Sequence, residues 1–587
     1  MAGARHSNVL LTYLRPQARR VMLLAGLLLS GIALQIIGPL VLRRFIDSVA
    51  GGAETPLAQL FSLAAVFMAA AAITQGVQIA STWLGEQVAW RATNALRRDL
   101  AEHVLTLDMS FHTARTPGEL IERVDGDTTA LASFFSQFVI QILGGLLLMT
   151  GILAVLFREN ALVGGAMTIF CIAALVVLQA TRNLAVAHYT AERQAWSEMA
   201  GFLEERMGGL DDIRANGGGD HVMRKMTGLA DSLVEKGIAA QWRGILIFMT
   251  TNLTFSLGFA LALCLGALLY QRGEITIGTV YLLVQFTGML GDPLIRIGQQ
   301  LQQLQGASAG LGRIRQLQAI NAHIEDGPGA DWRPHAPPRL AFENLAFAYD
   351  ERAPVLRGVT FDLAPGKVLG LLGRTGSGKT TLTRLLFRLY DPTGGRITLD
   401  GVDIRQGTLA QLRGRIGLVT QDIQLFEATV RENATLFDPS IPDDRIRAVL
   451  EEIGLGPWFA RLPQGLDTVL AGTGGVSAGE AQLIAFARVF LTDPGLVVLD
   501  EASSRLDPAT DRLIERAMDK LLLPDESGES RTAIIIAHKL ATVRRADEIL
   551  ILDRGEVAEA GDRARLAADP TSRFAQLLRS GIEEVLS

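Results

Sequence analysis

Six stretches of this chain carry no charged side chain, at residues 21–42, 55–85, 128–157, 160–181, 244–271 and 275–291. A helix needs about 20 apolar residues to cross the hydrocarbon core of a bilayer. Soluble helices rarely stay uncharged for so long, because one face has to meet water. The sixth stretch is short, and its helix is expected to run past Asp292 and Pro293 toward Gly298, with Pro293 as a kink. Hydrophobic residues make up 49% of the 587, and the apolar excess lies mostly before residue 300. The first stretch is not followed by a small-residue cleavage site, so it reads as a retained helix and not as a removed signal.

The connections between these stretches alternate in length. Short links near Gly51–Glu54, Arg158–Glu159 and Arg272–Glu274 join the stretches in pairs, whereas 86–127 and 182–243 are long and charged. The long segments carry Arg91, Arg97, Arg98, Arg115, Arg123, Arg206 and Arg214, and Arg5, Arg15, Arg19 and Arg20 precede the first stretch. Positive charge concentrates on the cytoplasmic side, which places both long segments and both termini there. Arg43 and Arg44 run against this rule. Val88, Leu96, Leu100, Val104 and Leu107 recur among charges, as expected of an amphipathic helix leaving the membrane. Turn signals follow at Thr116-Pro117-Gly118 and at Gly217-Gly218-Gly219.

A Gly- and Pro-rich linker at 322–338 separates a membrane part, 1–321, from a second part, 339–587. The net charge of −6 is small for this length and argues against a nucleic-acid partner or a polybasic anchor. Cys171 and Cys264 both sit in apolar stretches, which fits small buried hydrophobes better than a disulfide or a metal site.

Beyond Arg339, short β-rich runs alternate with helices. Val368–Leu372 reads as a buried strand and leads directly into Gly373-Arg374-Thr375-Gly376-Ser377-Gly378-Lys379-Thr380-Thr381. In this pattern glycines let backbone N–H groups curl around phosphates, Lys379 reaches β and γ oxygens, and the Thr380 hydroxyl ligates Mg²⁺. A second apolar strand, Leu496–Leu499, ends in Asp500-Glu501. A carboxylate at such a strand end can hold Mg²⁺, and its neighbour can polarise an attacking water.

In these motifs residues 339–587 resemble the nucleotide-binding domain of ABC transporters, and the six-helix part resembles the exporter-type half-transporters of that superfamily. The resemblance implies an all-α transmembrane domain with long cytoplasmic extensions, fused to an α/β P-loop ATPase that uses ATP and Mg²⁺. It also assigns roles. Tyr349 matches the aromatic that stacks on adenine, and Gln421 the glutamine that senses Mg²⁺ and the membrane helices. Ser504–Asp507 matches the loop that crosses to the partner, and His538 the histidine at the γ-phosphate. Turns near Thr116–Arg123 and Gly208–Arg214 match the helices that dock on the nucleotide-binding domains.

One motif departs from the family. The signature loop, usually Leu-Ser-Gly-Gly-Gln, is here Val476-Ser477-Ala478-Gly479-Glu480. Ser477 and Gly479 are kept as nucleotide contacts, while Glu480 brings negative charge toward ATP held by the opposite subunit. Two unit charges about 6 Å apart repel by about 3 kcal/mol at an effective dielectric constant near 20. Residues 470–474 also lack the acidic residue usual there. The combination resembles one subunit of the heterodimeric exporters, whose expected partner is a different half-transporter with an intact signature. A homodimer with a tolerated variant loop is the alternative.

The implied activity is ATP hydrolysis coupled to export by alternating access, in a multi-pass protein of the bacterial plasma membrane with its ATPase part in the cytoplasm. An importer or an ATP-gated channel on the same fold are the rival readings. Charge-free spans favour hydrophobic or amphipathic cargo, such as drugs, lipids or peptides. Gln75, Gln78, Gln137, Gln141, Asn252 and Thr254 are the polar groups that could face a cavity or simply bond between helices.

Overall fold

The computed structural model describes residues 9–50, 56–350, 353–471, 475–500, 508–524, 530–537 and 540–580. Contacts divide the chain into two compact units, Met1–Thr106 with Thr116–Ile320, and Leu107–Arg115 with Asn321–Ser587.

The first unit is helical throughout. Its long helices are α1 (Ala18–Ala50), α2 (Leu57–Thr106), α3 (Gly144–Glu159), α4 (Ala161–Gly208), α5 (Gly219–Gln271) and α6 (Ile277–Gln318). A helix at Asp127–Gln137 leads into α3 through the π-type stretch Phe138–Leu143. The core of the unit forms where α3, α4 and α6 bring Ile152, Leu156, Met167, Phe286 and Leu290 out of solvent. Below the apolar stretch, α2 continues as an amphipathic helix that buries Val88, Leu96, Leu100 and Val104. The turn expected at Thr116 is a helix start, with the Thr116 hydroxyl accepting the Glu119 N–H.

Five helices among the described residues contain a window apolar enough to span a bilayer, and α6 is not one of them. Gln285, Asp292 and Pro293 interrupt its apolar run, yet the helix continues unbroken through Pro293. Arg43, out of place by the charge rule, is neutralised locally. It pairs with Glu159 at the end of α3 and lies 3.6 Å from Asp47. Asp47 in turn accepts the Gly278 N–H at 2.8 Å and the Thr276 hydroxyl at 2.9 Å, which caps the start of α6.

In the second unit two sheets carry the core. Strands β1 (Leu340–Ala348), β2 (Pro354–Leu363), β4 (Gly394–Leu399) and β5 (Val402–Asp403) form an antiparallel sheet in the order β2-β1-β4-β5. The main sheet comprises β3 (Val368–Gly373), β6 (Ile416–Val419), β9 (Leu496–Asp500), β10 (Thr532–Ile536), β11 (Glu548–Asp553) and β12 (Glu556–Asp562), ordered β12-β11-β3-β10-β9-β6. A two-strand ribbon pairs β7 (Ala428–Thr429) with β8 (Val469–Leu470). All main-sheet pairings are parallel except β11 with β12. Every residue of β3 and β10 is buried, as expected of parallel strands covered on both faces. Helices α7 (Lys379–Leu386) and α8 (Ala478–Thr492) complete the elements that matter below.

Leu107–Arg115, which the sequence boundaries place in the membrane part, groups with this second unit. Its short helix Met109–Thr113 is tied there by Asp108, which accepts the backbone N–H groups of His323 at 2.7 Å and Ile324 at 3.2 Å. Thr116–Arg123 belongs to the first unit, as does the short helix Leu210–Ala215 in the second turn region.

Candidate functional site

Parallel pairing sets the site. The register aligns Ile536 with both Leu371 and Asp500, and Val419 with Leu499. The carboxyl ends of β3, β10, β9 and β6 therefore come out along one edge of the sheet. Open α/β sheets place ligands at this edge. From it emerge the glycine-rich loop after β3, Asp500 ending β9 and Gln421 just beyond β6. Glu501, Ser504–Asp507 and His538 follow the same strand ends but lie outside the described residues.

The loop after β3 is built as a cradle. Gly378 has φ +108°, and a Cβ there would meet the Leu356 side chain at 2.6 Å, so only glycine suits this position. Lys379 is buried and donates from Nζ to the Gly373 carbonyl at 2.6 Å and the Arg374 carbonyl at 3.2 Å. Its ammonium thus arches back over the loop at the N-terminus of α7, where backbone N–H groups and the helix dipole favour an anion. The buried Ser377 hydroxyl has no partner among the described residues. A buried orphan donor beside a buried ammonium at a helix start fits a polyphosphate. Arg374, Thr375, Gly376 and Thr380 stay exposed, and a cavity of about 580 Å³ runs along the loop toward Asp553 and Arg573.

A divalent cation would find oxygen donors here: the Thr380 hydroxyl, the Asp500 carboxylate and the Gln421 amide. Mg²⁺ is usually bound by one or two carboxylates plus substrate phosphates, which fits this donor set. No cluster of three His, Cys, Asp or Glu occurs among the described residues, so a metal here would depend on the phosphates.

Tyr349 is 46% exposed, and its hydroxyl lies 3.2 Å from both Thr381 Oγ1 and the donating Arg384 Nη1. Phe347 and Tyr390 meet its ring edge-on at 4.8 and 5.1 Å. This box leaves the ring standing free at a cavity of about 570 Å³, whose wall also includes Asp108, His323 and Asp391. Tyr390 and Asp108 were not legible as site residues. Tyr390 follows a helix with no motif of its own, and Asp108 is 241 residues from Tyr349 in sequence.

Ser477 and Glu480 form a reciprocal cap at the start of α8. Ser477 Oγ accepts the Glu480 N–H at 3.3 Å, while the Glu480 carboxylate accepts the Ser477 N–H at 2.9 Å and its hydroxyl at 2.8 Å. Arg461 Nη2 lies 3.6 Å from the same carboxylate. Gly479 has a packing reason: a Cβ there would overlap the Thr510 methyl group.

In the first unit, a cavity of about 730 Å³ is lined in part by Gln78 and Gln141, two of the polar residues singled out above. Gln75 is not part of its wall, and the side chain of Gln137 is outside the described set. Asn252 and Thr254 bond to carbonyls one turn back in their own helix. The wall also carries Asp292 and Arg296, on the part of α6 beyond the sixth charge-free stretch.

Comparison with known proteins agrees with this geometry. Residues 356–504 match the family described as ABC transporter, and residues 21–294 match the ABC transporter transmembrane region. A fatty acid ABC transporter ATP-binding/permease protein of Mycobacterium bovis is 32% identical over 478 residues, covering 81% of this chain and 74% of that protein. An uncharacterized ABC transporter ATP-binding protein of Bacillus subtilis is 29% identical over 562 residues, covering 95% of this chain and 92% of its own. A bacterial Atm1-family ABC exporter with ATP bound shares the fold, with a TM-score of 0.78, 24% identity and coverage of 96% and 99%. The chain belongs to the ABC transporters, as an exporter-type half-transporter with its transmembrane and ATPase parts in one polypeptide. It is a multi-pass membrane protein that couples ATP to transport.

Proposed function

We propose that this chain is the hydrolysis-competent member of an unequal pair of half-transporters and exports hydrophobic or amphipathic cargo. In this reading 1–321 is the translocation part, 322–338 the linker and 339–587 the ATPase part. Tyr349 stacks on adenine, the 373–381 loop holds the phosphates through its N–H groups, and Lys379 leaves its loop carbonyls for the β and γ oxygens. Mg²⁺, when bound, neutralises charge developing on the transferred phosphoryl group. Thr380, Gln421 and Asp500 orient it, Glu501 polarises the attacking water, and His538 contacts the γ-phosphate. Ser477 and Gly479 serve the partner's nucleotide.

The observation that carries the unequal pair is the Ser477–Glu480 cap. A carboxylate is acceptor-only, so it engages the Ser477 hydroxyl as acceptor and puts a negative charge at the helix start meant to meet a triphosphate. Arg461 offsets part of that charge, but its side chain is 74% exposed and screened by solvent. The name of the mycobacterial relative, a fatty acid transporter, is in keeping with amphipathic cargo. The test is to purify the chain expressed alone. The expected result is poor dimerisation or slow turnover, and turnover restored by a second half-transporter with an intact signature. A stable dimer of this chain alone with normal turnover overturns the proposal.

A further inference from the structure

The cavity inside the first unit is large enough for a drug-sized group at about 730 Å³, and its wall is far more polar than the helices that build it. Four glutamines line it, Gln35 from α1, Gln78 from α2, Gln141 from the π-type stretch and Gln285 from α6. The amides of Gln35 and Gln78 have no partner among the described residues. Asp292 and Arg296 lie one turn apart on α6 and line the same cavity. Counting from Ile277 at 1.5 Å per residue, they lie about 22 and about 28 Å along the helix, toward the far end of a length that would cross a hydrocarbon core about 30 Å thick.

Charges on a membrane helix are kept where they meet a ligand, a water-filled path or each other. Here they barely meet each other. Their closest approach is 4.0 Å, and the side chains are 83% and 48% exposed. A tight helix-stabilising pair would close this gap. Instead, a carboxylate and a guanidinium stand loosely paired, both lining the same cavity.

Resting on the export reading above, we propose that the cavity selects amphiphiles with a zwitterionic head group. Asp292 takes the cationic end, Arg296 the anionic end, and the glutamines bond to the neutral polar atoms between. A head group with one charge only complements one of the two residues and sets its charge against the like-charged other, whereas a zwitterion matches both.

The test uses the complete transporter in lipid nanodiscs and three synthetic amphiphiles with one dodecyl chain, carrying a betaine, a trimethylammonium or a sulfate head. Direct binding is measured without nucleotide, and ATP-driven uptake is measured in inside-out vesicles. The betaine should bind at least tenfold more tightly than either singly charged analogue. Arg296→Gln should shift the preference to trimethylammonium and Asp292→Asn to sulfate. Equal binding of all three heads, or a parallel loss for all three in each variant, overturns the head-group assignment. Betaine-selective binding without ATP-driven uptake of any probe upholds the assignment and overturns the export reading.

Discussion

The Ser477 hydroxyl donates to the Glu480 carboxylate at 2.8 Å, so the serine of the signature loop is held by the residue that replaces the family's glutamine. The same carboxylate also accepts the Ser477 backbone N–H. In the proposed function one carboxylate thus both closes a local helix cap and sets the charge offered to the partner's nucleotide.

Glu480→Gln is expected to raise ATP turnover of the assembled transporter about five- to tenfold. A glutamine can still close the capping box, so the helix start survives while its charge is removed. The full repulsion of about 3 kcal/mol is an upper bound that screening and Arg461 reduce, and each 1.4 kcal/mol is a factor of ten in rate. Glu480→Ala, which loses the cap, should cost about 1 kcal/mol of stability as well. Steady-state phosphate release and a thermal melt separate the two effects.

Glu501→Gln should leave nucleotide binding within about twofold and reduce turnover by about a thousandfold, the scale lost when a positioned general base is removed. Its predecessor Asp500 ends a strand in register with Ile536, so the amide replacement keeps its place in the chain. Equilibrium binding of a fluorescent ATP analogue beside phosphate release decides the matter. Undiminished turnover removes Glu501 from the role.

Gly479→Ala should destabilise the ATPase part by about 1 to 3 kcal/mol, because the new methyl group overlaps the Thr510 methyl. Thr510→Ser removes that methyl group and should recover most of the loss. If activity fails to recover while stability does, Gly479 also needs its backbone bare for the partner's nucleotide.

Asp108 gives a pH-dependent prediction. Burial pushes its carboxyl up, but hydrogen bonds from the His323 backbone and ring and from the Ile324 N–H outweigh this and hold it below the usual carboxylate value. A lowered folded-state value means the stabilisation is complete above about pH 4, the range of an unfolded aspartate, and is lost as pH falls further. Asp108→Asn should flatten that acid-side slope. At neutral pH, amide exchange at residues 323–324 should speed up by about tenfold, as expected for losing hydrogen bonds to a charged acceptor worth about 1.5 to 3 kcal/mol.

The parts legible in the sequence were those that short-range chemistry dictates. Charge-free length marked the spans, and the glycine-rich run after Val368–Leu372 marked the cradle, because a loop that wraps phosphate has few alternatives in residue type. The spacing of Val88, Leu96, Leu100 and Val104 was enough to predict a helix emerging from the membrane, and all four are buried. What escaped was long-range. Nothing local marks Met109–Thr113 as belonging with residues 321–587, since its anchor is one carboxylate accepting two amides more than 200 residues away. Asp292 and Arg296 were half legible. The sixth helix was expected to run past Asp292 toward Gly298, as it does, but that both residues line a cavity depends on how α6 packs against its neighbours.

Arg43, Glu159, Asp47, Thr276 and Gly278 fasten the ends of α1, α3 and α6 at one place, opposite the arginine-rich extensions. Moving α3 away from α1 on that side breaks the Arg43–Glu159 pair, and moving α6 away breaks the two hydrogen bonds to Asp47. α1 is therefore the common node of the three helices on that side: whichever neighbour moves away, it is the end of α1 that gives up a partner.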